Sequence, residues 1–281
     1  MIAKLFIVLQ YLLPQHLLSR AVGYLARCEW GPLKDLLIKT FIRAFKVQMD
    51  DYQRTEAAEF KHFNDFFTRT LKPGAREIPE DANTAFSPVD GAISQLGMTT
   101  QGRLIQAKGR DYRLAELLAD DALAQRLEGG AFATLYLAPK DYHRIHMPFD
   151  GTLTQMIHVP GDLFSVNNDT AEGVDRLFAR NERVVCVFDT QHGEVAMVLV
   201  GAMIVASIST VWHGQVTPVK GVQSWHYTTT QNIQLKRGDE MGQFALGSTV
   251  ILCPQPDRLV WDESSVPGLP LRLGQPIGQW Q

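Results

Sequence analysis

Three side chains of this sequence could together activate a hydroxyl group for attack on a carbonyl carbon. Asp90 lies in the segment SPVDG, His146 in DYHRIHMP and Ser248 in FALGSTVIL. An acid, an imidazole and an alcohol are the components of a Ser-His-Asp system, in which the acid orients the imidazole and the imidazole deprotonates the alcohol. Each segment alone also fits a structural interpretation, because Asp-Gly is typical of a turn and a glycine within a strand marks a bulge. The combination is what indicates catalysis.

The residues around Ser248 distinguish two uses of its hydroxyl. A serine hydrolase of the common α/β type carries GxSxG between a strand and a helix, whereas Gly247-Ser248 lacks the second glycine and precedes strand-forming residues. A glycine directly before the serine suits attack on the upstream carbonyl, because a residue without Cβ tolerates the strained backbone. An N-to-O acyl shift and an elimination would then break the chain and convert Ser248 to a pyruvoyl group. Three interpretations of this segment stay open at this point: a hydrolase nucleophile, a self-cleavage site and a structural bulge.

The spacing of two histidines raises the question of a metal site. His143 and His146 are three residues apart, which on a helix would direct both imidazoles to one ion. The flanking strand formers and Pro148 predict a strand or turn, where an odd separation directs side chains to opposite faces. We therefore expect no zinc site here. The three cysteines form no CxxC pair, so we expect neither a disulfide framework nor a cysteine zinc site, and a reducing compartment fits: Cys28, Cys186 and Cys253.

The elements that must position these residues divide into a helical part and a β-rich part. Apolar side chains recur at helical spacing over Leu33–Phe45, and Phe60–Leu71 and Leu114–Leu127 also read as helices. A hairpin loop is expected at 189–193. The expected fold class is α+β, with an N-terminal helical, membrane-associating region over 1–75 and one antiparallel, β-rich catalytic domain over 76–281. Five runs favour strands: Ala131–Leu137, Gly151–Val159, Arg183–Asp189, Val195–Ile208 and Phe244–Cys253.

The charge distribution indicates which kinds of molecule the protein binds. The 281-residue chain has a net charge of -3, which argues against nucleic-acid binding. Residues 1–46 nevertheless carry a charge of +5. Their uncharged run, Leu5–Ser19, is shorter than the roughly 20 apolar residues of a spanning helix, and no clean signal-peptidase site follows it, so we expect it to be retained. A basic amphipathic region of this kind is typical of a bilayer interface, although a helical subdomain packed on the core fits too.

Six segments follow one another along the chain: FNDFFTRTLKPGAREI, SPVDGAI, YLAPKDYHRIHMPFDG, PGDLFSVN, LFARNERVV and RGDEMGQFALGSTVI. In order and spacing they resemble phosphatidylserine decarboxylases of the bacterial and mitochondrial type. The resemblance runs from about residue 60 to 255, and the pairing of HxxHMP with a downstream EMGxFxLGST makes it specific. It implies self-cleavage between Gly247 and Ser248 into a large chain, 1–247, and a small chain, 248–281, that begins with a pyruvoyl group. No metal and no pyridoxal phosphate are implied.

The resemblance also implies roles for individual residues. Asp90 and His146 would form the self-processing triad with Ser248, and His143 would serve substrate handling and decarboxylation. Candidate substrate-binding residues follow from the segment LFSVN: Phe164, Val166 and Asn167.

The expected reaction starts with a Schiff base between the amine of phosphatidylserine and the pyruvoyl carbonyl, which withdraws the electron pair released as CO₂ departs. We expect His143 to return a proton to that carbon, because an imidazole titrates near neutrality. Hydrolysis would release phosphatidylethanolamine. Since the substrate stays in the bilayer, we expect the basic N-terminal region to dock on an anionic membrane surface. The resemblance implies a peripheral protein on the cytoplasmic side of the inner cell membrane, and a homodimer.

Three other function classes stay open from the sequence. A serine hydrolase using the same three residues would remain uncleaved and would need an oxyanion hole. A pyruvoyl decarboxylase of a soluble amino acid would cleave itself but has no use for a basic, apolar N-terminus. A non-catalytic membrane-bound β-domain would do neither.

Overall fold

The computed structural model describes residues 2–203, 207–228, 230–245 and 248–281, with side chains for all of these except residues 2–4 and 248. Helices occupy the N-terminus and three places in the β-rich part. The α-helices of the described residues are Ile2–Leu12 (α1), Gln15–Ala26 (α2), Gly31–Phe45 (α3), Phe63–Phe67 (α4), Leu114–Leu118 (α5), Asp121–Leu127 (α6), Asn168–Gly173 (α7) and Leu177–Arg180 (α8), with a 3-10 turn at Ala57–Glu59.

Strands dominate the chain after residue 83. They are Thr84–Phe86 (β1), Gly91–Met98 (β2), Arg103–Ala107 (β3), Arg110–Arg113 (β4), Ala131–Leu137 (β5), Arg144–His146 (β6), Gly151–Val159 (β7), Arg183–Thr190 (β8), Gly193–Gly201 (β9), Ile208–Thr210 (β10), Gly214–Gln215 (β11), Gln223–His226 (β12), Gln234–Leu235 (β13), Glu240–Phe244 (β14), Ser248–Pro254 (β15), Leu259–Trp261 (β16), Pro270–Leu271 (β17) and Pro276–Trp280 (β18).

One large sheet organises the fold. Its nine strands run in the order β12-β7-β8-β9-β15-β5-β2-β17, with β13 also paired to β7. Smaller sheets have the orders β11-β10-β14-β6, β1-β18-β16 and β3-β4. Within the described residues, every pair of these named strands is antiparallel. Strand β15, which begins at Ser248, therefore lies in the interior of the large sheet, between β5 and β9.

The large sheet is buried on both faces. Its strand β9 reads VAMVLV from residue 195 to 200, and successive side chains alternate between two apolar clusters. One cluster fills the space between the sheet and the helices, where Ile38 of α3 and Leu117 of α5 pack. The other lies between the sheet and two of the smaller sheets, β11-β10-β14-β6 and β1-β18-β16, and includes Ile145 and Phe244. Helices, large sheet and small sheets thus form three layers.

The N-terminal helices are attached to this core by buried polar contacts. Gln15 accepts a hydrogen bond from Leu163 N at 2.6 Å, and Gln10 accepts one from Ser165 N at 2.7 Å. No single described helix has the length and apolar character to cross a bilayer. The length and apolar character of a spanning segment are reached only by two helical segments taken together, Leu5–Leu12 and Gln15–Ala26. This pair is bent by 89° at its junction.

The α+β class and most of the expected elements are confirmed. Strands β5 and β7 have the predicted bounds, and β8 and β9 form the hairpin predicted around residues 189–193. The division at residue 75 stays a prediction, because nothing in the structure tests the two parts separately. Arg76 crosses that boundary by pairing with Asp51 at 2.8 Å.

Four predicted elements differ in the structure. The helix expected over Leu114–Leu127 is two helices, because Ala119 adopts a left-handed conformation (φ 54°) and the Asp120 carboxylate accepts a hydrogen bond from Leu123 N to begin α6. The strand expected over Val195–Ile208 ends at Gly201, and β10 starts a separate sheet.

The helix expected over Phe60–Leu71 is confined to Phe63–Phe67. Leu71 instead pairs with Tyr52 in an isolated bridge. The run expected over Phe244–Cys253 is likewise divided: β14 ends at Phe244 and β15 begins at Ser248.

Candidate active site

Ser248 is the first residue of β15, and its backbone is held between two strands. It pairs with Leu137 at the end of β5 and with Gly201 at the end of β9. Gly247 lies outside the described residues, and the same holds for the side chain of Ser248, so the structure gives no geometry for the predicted scissile bond. The chain just before it is fixed: Ala245 N donates to Ser207 O at 3.0 Å.

His143 is the histidine that the strand register places nearest to this connection. Its carbonyl accepts a hydrogen bond from Phe244 N at 3.0 Å, three residues before Gly247. The imidazole is fully buried, and the ring of Phe67 packs on it with 4.1 Å between centroids. Nδ1 lies 2.8 Å from Asp141 O and must donate, because a carbonyl oxygen only accepts. Nε2 is buried and has no hydrogen-bond partner among the described residues.

This environment keeps His143 neutral. Burial lowers its pKa to about 3, and the nearby Arg69 guanidinium acts in the same direction, while the hydrogen bond to Asp141 O opposes them. In the chain with serine at position 248, the pKa of His143 is therefore not near neutrality, contrary to our expectation. The lone pair on Nε2 is available as an acceptor.

His146 lies at the end of β6, farther from the connection before Ser248. It pairs with Glu240, and its backbone N–H donates to Pro88 O at 2.9 Å, which brings the HxxHMP and SPVDG segments side by side. Its Nδ1 donates to Gly238 O at 2.7 Å, and its Nε2 accepts from the Tyr142 hydroxyl at 3.0 Å. Burial lowers the pKa of His146, and the hydrogen bond to Gly238 O opposes that shift, as do the Glu240 and Asp90 carboxylates.

Asp90 is buried and bound on both oxygens by Arg76. Oδ1 accepts from Arg76 Nε at 2.9 Å and from Leu273 N at 2.8 Å, and Oδ2 accepts from Arg76 Nη2 at 2.5 Å. A bidentate guanidinium contact is among the strongest that a carboxylate makes. Arg76 also donates to Asp51 at 2.8 Å.

The structure does not join Asp90 to His146 by a hydrogen bond. The interpretation that Asp90 orients the imidazole directly needs correction, because Arg76 occupies the carboxylate and Gly238 O occupies Nδ1 of His146. The Asp90 charge has only a small effect on the pKa of His146, which it raises against the larger effect of burial. The roles of the four predicted catalytic residues in processing and decarboxylation stay predictions.

Two cavities adjoin the loop between β5 and β6. The first, of about 600 Å³, is apolar; α2 and α3 line one wall, and Phe67 and Pro139 line another. Phe67 contacts both this cavity and the His143 imidazole, which does not itself line the cavity. The second, of about 700 Å³, has charged as well as apolar residues in its lining, among them Asp90, Arg76 and Asp141.

The predicted substrate-binding residues have structural roles in the described chain. Phe164 is buried with its ring 4.8 Å from that of Tyr11, and Val166 is part of the helix-side apolar cluster. Asn167 caps α7 by accepting a hydrogen bond from Thr170 N at 3.0 Å. None of the three lines either of the two cavities as the described residues form them. Contact with substrate stays a prediction for them.

Sequence reasoning missed three residues that hold the site together: Arg69, Arg76 and Tyr142. Arginine is usually a surface residue, and no periodic pattern indicates that one will be buried beside a histidine. The only available signal was that both arginines fall within FNDFFTRTLKPGAREI, a segment quoted for its family resemblance.

The structure offers a test of whether the chain suits a pyruvoyl group. Such a group would begin β15, and the buried Nε2 of His143, without a partner among the described residues, lies beside the strand pair that leads to it. A buried imidazole nitrogen without a partner among the described residues costs free energy, and such atoms are typical of catalytic sites, so these residues fit the group. In the described ranges, no group of three or more His, Cys, Asp or Glu side chains gathers in a way that could hold a metal ion.

Comparison with known proteins gives consistent matches over almost the whole chain. A family model described as phosphatidylserine decarboxylase matches residues 63–279, and one described as PSD matches residues 5–46. The phosphatidylserine decarboxylase proenzyme of Stutzerimonas stutzeri (strain A1501) is 54% identical over 280 residues, covering 98% of this chain and 94% of the relative. The protein of that name from Shewanella putrefaciens (strain CN-32 / ATCC BAA-453) is 57% identical over 254 residues, covering 89% and 88%.

Proposed function

Because this chain belongs to the phosphatidylserine decarboxylase family, we propose that it converts phosphatidylserine to phosphatidylethanolamine and CO₂ with an electrophile made from its own Ser248. The relatives are named proenzymes, a term for precursors that require activation. A pyruvoyl group at position 248 would supply an electrophilic ketone and an electron sink without an added cofactor. The observation that carries the proposal is the position of Ser248 at the start of a central strand, four residues after Phe244, whose N–H binds the carbonyl of the buried His143. Nε2 of that histidine has no hydrogen-bond partner among the described residues.

Self-processing begins with removal of the Ser248 hydroxyl proton, and His146 is the proposed base. Its Nε2 must first release the Tyr142 hydroxyl, while Gly238 O keeps the ring oriented through Nδ1. The Ser248 oxygen then attacks the Gly247 carbonyl carbon, and the peptide C–N bond breaks as the ester C–O bond forms. The protonated His146 returns its proton to the departing nitrogen, which becomes the free amine of Ser248. Loss of the Ser248 α-proton expels the Gly247 carboxylate, and the dehydroalanine that remains hydrolyses with release of ammonia.

In the decarboxylation step, His143 is the proposed proton carrier. Its Nε2 is the atom through which a proton would reach the substrate carbon that loses CO₂. The imidazole is neutral in the structure, so it has to be protonated after substrate enters. An anionic substrate carboxylate beside the ring would favour the imidazolium and raise the pKa of His143.

The surface of the N-terminal helices supports a lipid substrate. The apolar cavity between α2 and α3 reaches Phe67 beside His143 and suits an acyl chain. Residues 1–46 carry a charge of +5, which would attract anionic headgroups. Apolar side chains of the N-terminal region are exposed, among them Leu5, Leu9, Leu12, Leu17, Tyr24, Trp30 and Leu36.

We therefore propose peripheral binding to the cytoplasmic face of the inner cell membrane. The three cysteines are free thiols, a state that a reducing compartment maintains. A homodimer also stays a proposal, which light scattering of the purified protein would test.

Intact-mass spectrometry of the denatured protein tests the mechanism first. We expect a 34-residue fragment, 248–281, that carries pyruvoyl in place of serine, and loss of both fragment and decarboxylation in Ser248→Ala with the fold retained. Ser264→Ala, at an exposed position in the same fragment, is the matched control. It should cleave normally and give a fragment lighter by one oxygen atom. Full activity in Ser248→Ala would overturn the proposal.

A serine hydrolase is not favoured. The relatives are named decarboxylase proenzymes and not hydrolases. An intact single chain that reacts with hydroxyl-directed inhibitors would restore that alternative.

A further inference from the structure

Arg69 is a buried arginine next to the site. Its side chain is 1% exposed and its guanidinium lies between two aromatic rings, 4.2 Å from the centroid of Tyr52 and 5.1 Å from that of Phe66. Within the described residues no carboxylate forms an ion pair with it. A buried cation without a carboxylate is costly unless hydrogen bonds and ring faces compensate it.

The hydrogen bonds of Arg69 are directed to one short turn. Nη2 donates to Lys140 O at 2.8 Å and to Asp141 O at 3.1 Å, and it also lies 3.1 Å from the Tyr52 hydroxyl. Residues 140 and 141 come directly before Tyr142 and His143. The guanidinium therefore fixes the backbone from which the imidazole projects.

Arg69 and His143 share a single acceptor. The oxygen of Asp141 accepts from Arg69 Nη2 and, at 2.8 Å, from His143 Nδ1. Because that oxygen is held in place by the guanidinium, Nδ1 faces an acceptor and must carry the hydrogen. Nε2 is then left with its lone pair. Phe67, two residues before Arg69, packs on the face of the same imidazole. The segment that contains both residues therefore orients the ring and determines which of its nitrogens is protonated.

We propose that Arg69 is the positioning residue that fixes His143 in the Nδ1–H tautomer, which leaves Nε2 as the only ring nitrogen able to accept a proton. Arg69 acts through the Asp141 carbonyl and does not itself touch substrate. The role proposed here rests on the proposed function of His143 in decarboxylation. The tautomer itself is independent of that function.

The tautomer is measurable by NMR of protein labelled with ¹⁵N-histidine, because long-range ¹H–¹⁵N correlations distinguish a protonated from an unprotonated ring nitrogen. The Ser248→Ala chain is used so that the protein is uncleaved, and His143→Gln assigns the signal among the eight histidines. We expect a protonated Nδ1 and an unprotonated Nε2 for His143. In the Arg69→Met variant we expect a mixture of both tautomers.

Activity gives a second readout in the chain that retains Ser248. Arg69→Met should lower kcat for phosphatidylserine by about ten- to hundred-fold, the usual loss when a partner that orients a functional histidine is removed, with KM little changed. Arg69→Lys should recover part of the lost kcat. An ammonium group can still donate hydrogen bonds to the carbonyl oxygens, but it lacks the planar arrangement of donors that a guanidinium has.

Arg183 provides a matched control. It too is buried and donates to backbone carbonyls, at 2.7 Å to Leu117 O and 3.0 Å to Asn181 O, but on the helix side of the large sheet. Arg183→Met should cost stability without altering the His143 tautomer.

An unprotonated Nδ1 in the Ser248→Ala protein would overturn the proposal even if every Arg69 variant failed to fold. A single tautomer with unchanged kcat in Arg69→Met would overturn it as well. Failure of the Ser248-containing protein to decarboxylate phosphatidylserine would instead contradict the proposed function and leave the tautomer result standing.

Discussion

The burial of His143 couples the candidate site to the stability of the fold. A histidine that is neutral and enclosed in the folded chain can take up a proton at mildly acidic pH only when the chain unfolds. With the pKa lowered from 6.5 to about 3, protonation favours the unfolded state throughout that interval. The stabilisation from keeping His143 neutral is fully present above pH 6.5 and is lost as the pH falls towards 3.

His143→Gln should therefore flatten the pH dependence of unfolding. Between pH 7.5 and 5, His143 accounts for a loss of about 2 kcal/mol in the free energy of unfolding, because each pKa unit corresponds to about 1.36 kcal/mol. Urea unfolding of the uncleaved Ser248→Ala chain, with and without His143→Gln, measures this difference. The exposed His226→Gln is the control and should leave the slope unchanged. Equal slopes with and without His143 would show that this imidazole is not held neutral.

At the scale of elements, periodicity predicted strands well and contacts between distant segments poorly. Strands β5 and β7 could be predicted because their apolar runs are long and bounded by turn residues. The break between α5 and α6 depends on the left-handed conformation of Ala119 and on the cap that Asp120 provides. The helical spacing of apolar residues predicts neither of these two features.

The candidate site shows the same limit. Residue types and the family resemblance both predicted Asp90, His146 and Ser248 as site residues, but residue order could not show that Arg76 would occupy Asp90. That contact depends on how the loop after α4 folds back on the sheet, which no local pattern encodes.

The N-terminal helices should determine membrane binding. Leu5, Leu12 and Leu17 are 61%, 75% and 59% exposed. Changing all three to Gln should weaken partition into vesicles of phosphatidylglycerol and phosphatidylcholine by about thirty-fold, or roughly 2 kcal/mol, if about half of each side chain enters the bilayer. Sedimentation with the vesicles measures the partition.

A control triple variant changes exposed apolar residues of the β-rich part to Gln: Val211, Val222 and Val260. It should bind the vesicles as the unaltered chain does. Loss of binding in this control, with binding kept in the helix variant, would place the membrane-contacting surface elsewhere.

At the scale of the whole molecule, the two proposed chains are joined by a sheet and by an ion-pair network. Arg272 of the small chain pairs with Asp51 of the large chain at 2.6 Å, but its side chain is 65% exposed. An exposed pair contributes little, about 0–1 kcal/mol. Ile251 of β15 is fully buried in the helix-side cluster.

We therefore expect the sheet, and not the ion pair, to retain the small chain. Ile251→Ala should weaken retention by about 2–5 kcal/mol, whereas Arg272→Ala should change it by less than about 1 kcal/mol. Size-exclusion chromatography of the cleaved protein in increasing urea measures the release of the small chain. Greater release in Arg272→Ala than in Ile251→Ala would contradict this account.

Because β15 lies in the interior of the large sheet, the cleaved protein cannot refold in the way that its precursor first folded. While the chain is continuous, β15 reaches its place between β5 and β9 as part of a single folding polymer. Once the proposed cut is made, the same strand could return only by finding a separate chain in solution, so renaturation becomes a second-order process whose yield depends on protein concentration. The working lifetime of the mature protein is then set by how slowly it first unfolds, and the cell can replace a lost molecule only by synthesising a new precursor.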